Sequence, residues 1–293
     1  MKVGIVLSPS STAHGTRRYA EIWELALQAE ALGLDSLWVF DHLFARFPPD
    51  PLSGSWEGWT LLTALAEATQ RVQLGSLVLS VPFRNPVLLA KMAATVDETS
   101  NGRLILGLGA GWHRPEFDAM GIPFGARADR FEEALQIICP LLREGRITYD
   151  GTYYRAIEAE IMPRGPRPSG PPVLIRAFRS RMLRLAARYA DMWNTAWYGY
   201  AGDALRQAQE AVRVACREEG RDPSTLVMTA GIIVSEPNGE SGRTLYGTPE
   251  EISVRLRNFE EAGIAHGICE LEPLNEETVG HLGHALQIFH RGR

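Results

Sequence analysis

Short runs of apolar and β-branched residues alternate along this chain with longer stretches in which apolar side chains recur every three or four positions. Runs without internal polar alternation are what a parallel strand buried on both faces requires, and the amphipathic stretches between them supply crossover helices. The predicted strands are VGIVL (3–7), SLWVF (36–40), VQLGSLVLS (72–80), RLILGLG (103–109), PVLIR (172–176), DMWNTA (191–196), LVMTAGIIV (226–234) and HGICELE (266–272). The helix after the first strand is expected to bury a stripe of Tyr19, Ile22, Trp23, Ala26 and Ala29 and to stop at Gly33. ALGLDSLW and EAGIAHGI repeat one device: helix, glycine cap, strand.

Strand followed by helix, eight times over, predicts an α/β fold: one closed (β/α)8 TIM barrel over residues 1–293. A doubly wound open sheet shares the local pattern, but the number of units favours the barrel. Between the fourth helix and the fifth strand, RITYDGTYYRAIEAEIMPRGPRPSGPP turns at Asp150-Gly151, which predicts a β-hairpin insertion followed by a proline-rich connector. SEPNGESGRTLYGTPEE, after the seventh strand, is a second long irregular stretch of the kind that carries function or motion.

Composition agrees with a globular enzyme-sized domain: 45% hydrophobic and 22% charged residues. A net charge of -5 with both signs interspersed leaves no broad basic face, so neither nucleic acid nor a membrane surface is an expected partner. Cys139, Cys216 and Cys269 lack CxxC spacing and nearby histidines, and read as reduced thiols rather than zinc ligands. No stretch approaches the roughly 18 apolar residues of a membrane span and the amino terminus lacks a signal-like core, so a cytoplasmic location is expected.

A barrel of this class builds its site at the carboxyl ends of its strands, which narrows the candidates. After the first strand these are Ser8, Ser10 and His14; after the second, Asp41-His42; after the third, Ser80 with Phe83-Arg84-Asn85. The fourth strand leads into GAGWHRPEF, the fifth into AFRSR, the sixth into Asn194-Thr195-Ala196-Trp197, and the eighth carries Glu270 and Glu272. His42 would set an imidazole suited to proton transfer over the barrel mouth; alternatively Asp41 caps a turn and His42 is an ordinary loop residue. GLGAG (107–111) permits close backbone approach to a flat or phosphorylated ligand, or else only tight strand packing, and it departs from GxGxxG at Trp112. Arg176, Arg179 and Arg181 sit where a strand end meets a helix start and either bind phosphate or carboxylate or are solvated. His281 and His284 have a feasible metal spacing but no third ligand nearby in sequence, so no metal site is expected. P-loop, GxSxG and HExxH signatures are missing.

Three stretches resemble the luciferase-like monooxygenase superfamily: SLWVFDHL; LGSLVLSVPFRNPVLLAKMAATVDETSNGRLILGLGAGWHRPEFDAMGIPF; and LRLAARYADMWNT, supported by GTPEEISVRLRNFEEAGI. The middle stretch is similar to the branch that uses the deazaflavin coenzyme F420. The resemblance implies that Asp41 contacts the ring system and that His42 is the catalytic proton donor near its reactive carbon. It implies further that Ser76, Leu77, Val78 and Ser80 form a bulge, often with a non-prolyl cis peptide, that backs the ring, and that Ala110 and Gly111 line it. The family's phosphate loop follows the fifth strand. Here AFRSR replaces the usual glycine-rich run, so Arg176, Ala177, Arg179, Ser180 and Arg181 are expected to hold the phosphate differently. Trp112, His113 and Trp197 would shape the substrate pocket, and Trp112 stands where the glucose-6-phosphate dehydrogenases of the branch carry a glutamate.

The leading expectation is hydride transfer between coenzyme F420 and a small organic substrate. The alternatives are an FMN-dependent monooxygenase using oxygen, and a barrel that has lost its cofactor and its catalysis. Members of the family often pair through their outer helices, which implies a homodimer.

Overall fold

The computed structural model describes residues 1–7, 11–12, 15–47, 50–235 and 244–292. The barrel strands are β1 (Lys2–Val6), β2 (Ser36–Val39), β3 (Gln73–Ser76), β4 (Leu104–Gly109), β5 (Val173–Arg176), β6 (Met192–Tyr198), β7 (Val227–Ser235) and β8 (His266–Glu272). Each pairs in parallel with its sequence neighbour, β8 returns to β1, and β4 pairs with β5, which closes the barrel. All eight lie within a few residues of the predicted runs. The helices are α1 (Tyr19–Ala31), α2 (Gly58–Ala68), α3 (Pro86–Thr99), α4 (Arg114–Ala119), α5 (Arg127–Glu144), α6 (Ser180–Tyr189), α7 (Asp203–Glu218), α8 (Pro249–Glu261) and α9 (Glu276–Arg291).

Because side chains alternate across a strand, the barrel has two cores. Val6, Trp38, Leu77, Ile105, Leu174, Met192 and Ile268 fill the interior, while a larger apolar shell lies between strands and helices. One step along the same inward faces, toward the amino ends of the strands, lies a polar cluster. The Ser36 hydroxyl accepts from Trp38 Nε1 at 2.7 Å and meets His266 Nε2 at 2.7 Å. One step toward the carboxyl ends, the inward positions are Phe40, Arg176 and Glu270, so the strand period alone puts two charged residues inside the barrel mouth.

Two details depart from the hydrophobic pattern. On α1 the buried stripe is Ile22, Leu25, Ala26 and Ala29, whereas Tyr19 and Trp23 are 43% and 39% exposed. Small side chains let the helix axis approach the strands, and the two bulky aromatics are left at the flank. The third strand, unbroken in the hydrophobic pattern, stops at Ser76; a non-prolyl cis peptide joins Leu77 to Val78, as the family resemblance implied, and Leu79–Ser80 then pairs with Leu108 and Gly109 of β4. Most of the long loop after β7 lies outside the described residues, as do Ser8, Ser10 and His14.

The predicted insertion is an antiparallel hairpin, Arg146–Asp150 with Arg155–Glu160. Its turn is anchored by Glu133 of α5, whose carboxylate accepts from the Thr152, Tyr153 and Tyr154 amides at 2.8, 2.8 and 3.1 Å. The connector beyond it is fastened by Arg167, which pairs with the fully buried Asp97 of α3. Cys139, Cys216 and Cys269 are free and buried. No described helix is long and apolar enough to cross a membrane.

Candidate active site

The carboxyl ends of the strands open into a cavity of about 820 Å³, within the size range of cofactor and substrate sites. Its first wall comes from the segment after β2. Asp41 is 4% exposed, and its carboxylate takes both guanidinium ends of Arg84, at 2.6 and 2.8 Å, together with the Ser80 amide at 2.8 Å. Burial pushes the Asp41 pKa up against the pull of Arg84 and that amide. For Arg84 burial works the other way, but Asp41 and Glu57 outweigh it and raise the guanidinium further. This bidentate pair fixes the segment after β2 to the bend after β3, which explains why Asp41 precedes the histidine.

His42 also faces the cavity, and its Nδ1 lies 3.2 Å from Glu116 Oε2. The other oxygen of Glu116 accepts from the Leu43 and Phe44 amides at 2.6 and 3.1 Å. Burial would raise the Glu116 pKa, but the hydrogen bonds from His42 and the two amides prevail and lower it, so this carboxylate is charged and orients the imidazole. Trp112 and His113 stand edge-on to His42, with ring centroids 5.6 and 5.9 Å away. Burial lowers the pKa of His113, partly offset by Glu116.

The second wall is backbone. Leu77, Val78 and Ser80 line it at the bend after β3, facing Ala110 and Gly111 after β4. Gly111 has φ +73°, and a Cβ there would come within 2.4 Å of Ser80 Oγ, so only glycine keeps this surface open. Gly107, by contrast, serves packing: a Cβ would lie 1.8 Å from the Ser76 carbonyl oxygen. The Ser76 hydroxyl bonds that same glycine, donating to its carbonyl at 2.9 Å, and stays in the sheet.

The third wall follows β5 and β6. Arg176, Ala177, Phe178 and Arg179 line it, with Trp197 after β6. Ser180 begins α6 outside the lining, and Arg181 turns away to Asp129 and Glu132 of α5 at 2.6 and 2.8 Å. Ser180, Arg181 and Ser76 are therefore not part of the cavity surface. Arg127, at the start of α5, is a lining residue that the sequence did not single out; burial and the nearby charge of Arg179 both lower its pKa. Glu116 was missed as the partner of His42, though its place in GAGWHRPEF was visible. His281 bonds the Gly247 carbonyl at 2.9 Å. No metal-binding cluster of histidine, cysteine or carboxylates occurs among the described residues.

Two polar atoms in the cavity wall, Ser80 Oγ and Arg176 Nε, are buried without a hydrogen-bond partner among the described residues. Ser80 Oγ lies beside the side-chain-free surface at Gly111, whereas Arg176 belongs to the opposite wall.

The chain is 37% identical over 177 residues to an F420-dependent glucose-6-phosphate dehydrogenase of Amycolatopsis mediterranei (strain U-32), covering 58% of this chain and 51% of that protein. It is 32% identical over 263 residues to the phthiodiolone/phenolphthiodiolone dimycocerosates ketoreductase of Mycobacterium bovis (strain BCG / Pasteur 1173P2), covering 82% of this chain and 68% of that one. The chain thus spans about half the length of the first relative and two thirds of the second. A solved F420-dependent secondary alcohol dehydrogenase, in complex with an F420-acetone adduct, superposes with a TM-score of 0.84 at 20% identity over 98% of both chains, a likeness of fold. A family model described as luciferase-like monooxygenase matches residues 1–240, and with that match the chain belongs to the luciferase-like monooxygenase family.

Proposed function

We propose that this protein is an F420-dependent oxidoreductase that exchanges a hydride with a small organic substrate. The observation that carries this reading is the His42–Glu116 pair beside the backbone surface of Leu77, Val78 and Gly111, in one cavity. Coenzyme F420, when bound, supplies a redox carbon that exchanges hydride. The residues that would hold it are Val78, Ser80, Ala110 and Gly111 along the flat surface, with Arg179 and Arg127 at the cavity rim for its phosphate. Two neighbouring guanidinium groups there do the work of the family's glycine-rich loop.

His42 handles the proton that accompanies the hydride. Its Nδ1 is engaged by the ionised Glu116, so exchange with the substrate runs through Nε2. Asp41 fixes the histidine-bearing segment through Arg84, and Trp112, His113 and Trp197 line the space left for the substrate. The family's pairing habit supports a homodimer built through the outer helices, which light scattering tests as twice the chain mass.

Fluorescence titration with coenzyme F420, and separately with FMN, tests the reading. Preferential F420 binding is expected. Preferential FMN binding would replace it with oxygen chemistry, and binding of neither would mean a barrel without catalysis.

A further inference from the structure

Inside the barrel mouth, away from His42, lies a charged pair that the proposed reaction leaves unused. Arg176 ends β5 and Glu270 lies on β8, each two residues beyond an interior core residue, Leu174 and Ile268, so both point into the barrel. Both line the cavity. The Arg176 guanidinium makes no hydrogen bond and no ion pair among the described residues. It instead lies 5.3 Å from the Phe178 ring centroid and 5.6 Å from that of Trp197. The Glu270 carboxyl likewise has no hydrogen bond or ion pair there, and neither of its oxygens is sealed from the cavity. A half-buried cation is ordinarily matched by an anion at contact distance, and here the Glu270 carboxylate across the mouth makes no ion pair with it.

We propose that Arg176 and Glu270 form a subsite for the carboxylate of the substrate, with Glu270 in its protonated form as the second donor. This assignment rests on the reading of the site as an oxidoreductase and narrows its substrates to small organic acids with an apolar body. The carboxylate takes hydrogen bonds from the guanidinium and from the carboxyl proton, and Phe40, Phe178 and Trp197 surround the apolar remainder. An acceptor-only group suits two donors, whereas an ionised Glu270 would repel it.

The charged groups acting on Glu270 are Arg176, across the mouth on β5, and Glu272, farther along β8; the His42–Glu116 pair lines the same cavity. Burial, reinforced by Glu272 and opposed by Arg176, pushes the Glu270 pKa up to about 7. A bound carboxylate neutralises the opposing charge, so binding takes up a proton. Affinity should therefore be flat well below pH 7 and fall up to tenfold per unit above it.

Benzoate is the probe, followed by the fluorescence of Trp197 and the other cavity tryptophan in the full-length protein from pH 5.5 to 9, with coenzyme F420 titrated in parallel. The expected result is a benzoate Kd that rises above pH 7 in the wild type and stays flat in Glu270→Gln, whose amide donates at every pH. Arg176→Gln should weaken benzoate at least tenfold throughout, with Arg176→Lys recovering part of the loss should the glutamine variant fail to fold. A wild-type Kd independent of pH, the same pH dependence in Glu270→Gln, or unchanged binding when Arg176 is replaced would overturn the subsite. The F420 titration separates the cases: normal cofactor binding with any of those outcomes removes the subsite alone, whereas loss of cofactor binding in the wild type removes the underlying reading.

Discussion

At the scale of single residues, His42 owes its chemistry to what Glu116 does on both of its oxygens. One holds the imidazole and the other holds the amides of Leu43 and Phe44, so loop position and ring orientation are set together. Replacing His42 with alanine should lower kcat by about 10² to 10⁴ without loss of fold, as measured by steady-state turnover beside circular dichroism. Glu116→Gln should cost about 10- to 100-fold in kcat/KM, because the oriented charge is lost while the shape is kept. Gly111→Ala forces a left-handed backbone on a residue with a Cβ and pushes Ser80 and Phe117 apart, so F420 binding should weaken and stability fall by about 1–3 kcal/mol. Asp41, His42 and Gly111 were visible as candidates because the barrel rule selects strand ends. The pairing of Glu116 with His42 was not, because nothing in sequence links a residue after the fourth strand to one after the second.

At the scale of elements, the bend after β3 is held by ion pairing. Arg84 joins Asp41 of the β2 segment to Glu57, which caps α2 by accepting from the Trp59 and Thr60 amides. Arg84→Ala leaves the carboxylate of Asp41 buried without its cation and should cost about 3–5 kcal/mol in urea unfolding. A loss below 1 kcal/mol would show that the bend holds itself. The strands themselves could be read directly, since eight apolar runs, some of them set off by glycines such as Gly33 and Gly263, leave little choice of place. The break in β3 followed from the family resemblance but not from periodicity, because Leu77 and Val78 are as apolar as the rest of the run and the ladder resumes only at Leu79–Ser80 beside Leu108 and Gly109 of β4. The α1 stripe was misplaced for a related reason: Tyr19 and Trp23 have the hydrophobicity of core residues but not the size that a close helix–strand contact admits.

At the scale of the whole molecule, the barrel interior carries a gradient from the buried His266 at one end to the open cavity at the other. Burial, with Lys2 and the amino terminus adding to it, lowers the His266 pKa to about 3, whereas in the unfolded chain it returns to about 6.5. Below the unfolded value the unfolded chain binds a proton that the fold refuses, so stability is lost as pH falls from about 6.5 toward 3, at up to about 1.4 kcal/mol per unit. Urea midpoints between pH 4 and 8 should show that slope, and His266→Gln should reduce it by about one proton; an unchanged slope would exclude His266 as its source. The sequence by itself determined the barrel, the hairpin insertion, the ends of the strands as the place of chemistry and the family, because period, glycine caps and turn residues are local properties. Only the tertiary structure decided that Arg84 claims Asp41, that Glu116 claims His42, that Arg181 leaves the cavity while Arg127 joins it, and that Arg176 and Glu270 share the barrel mouth. Those partnerships depend on which strands stand side by side once the sheet has closed, and closure is a property of all eight strands at once.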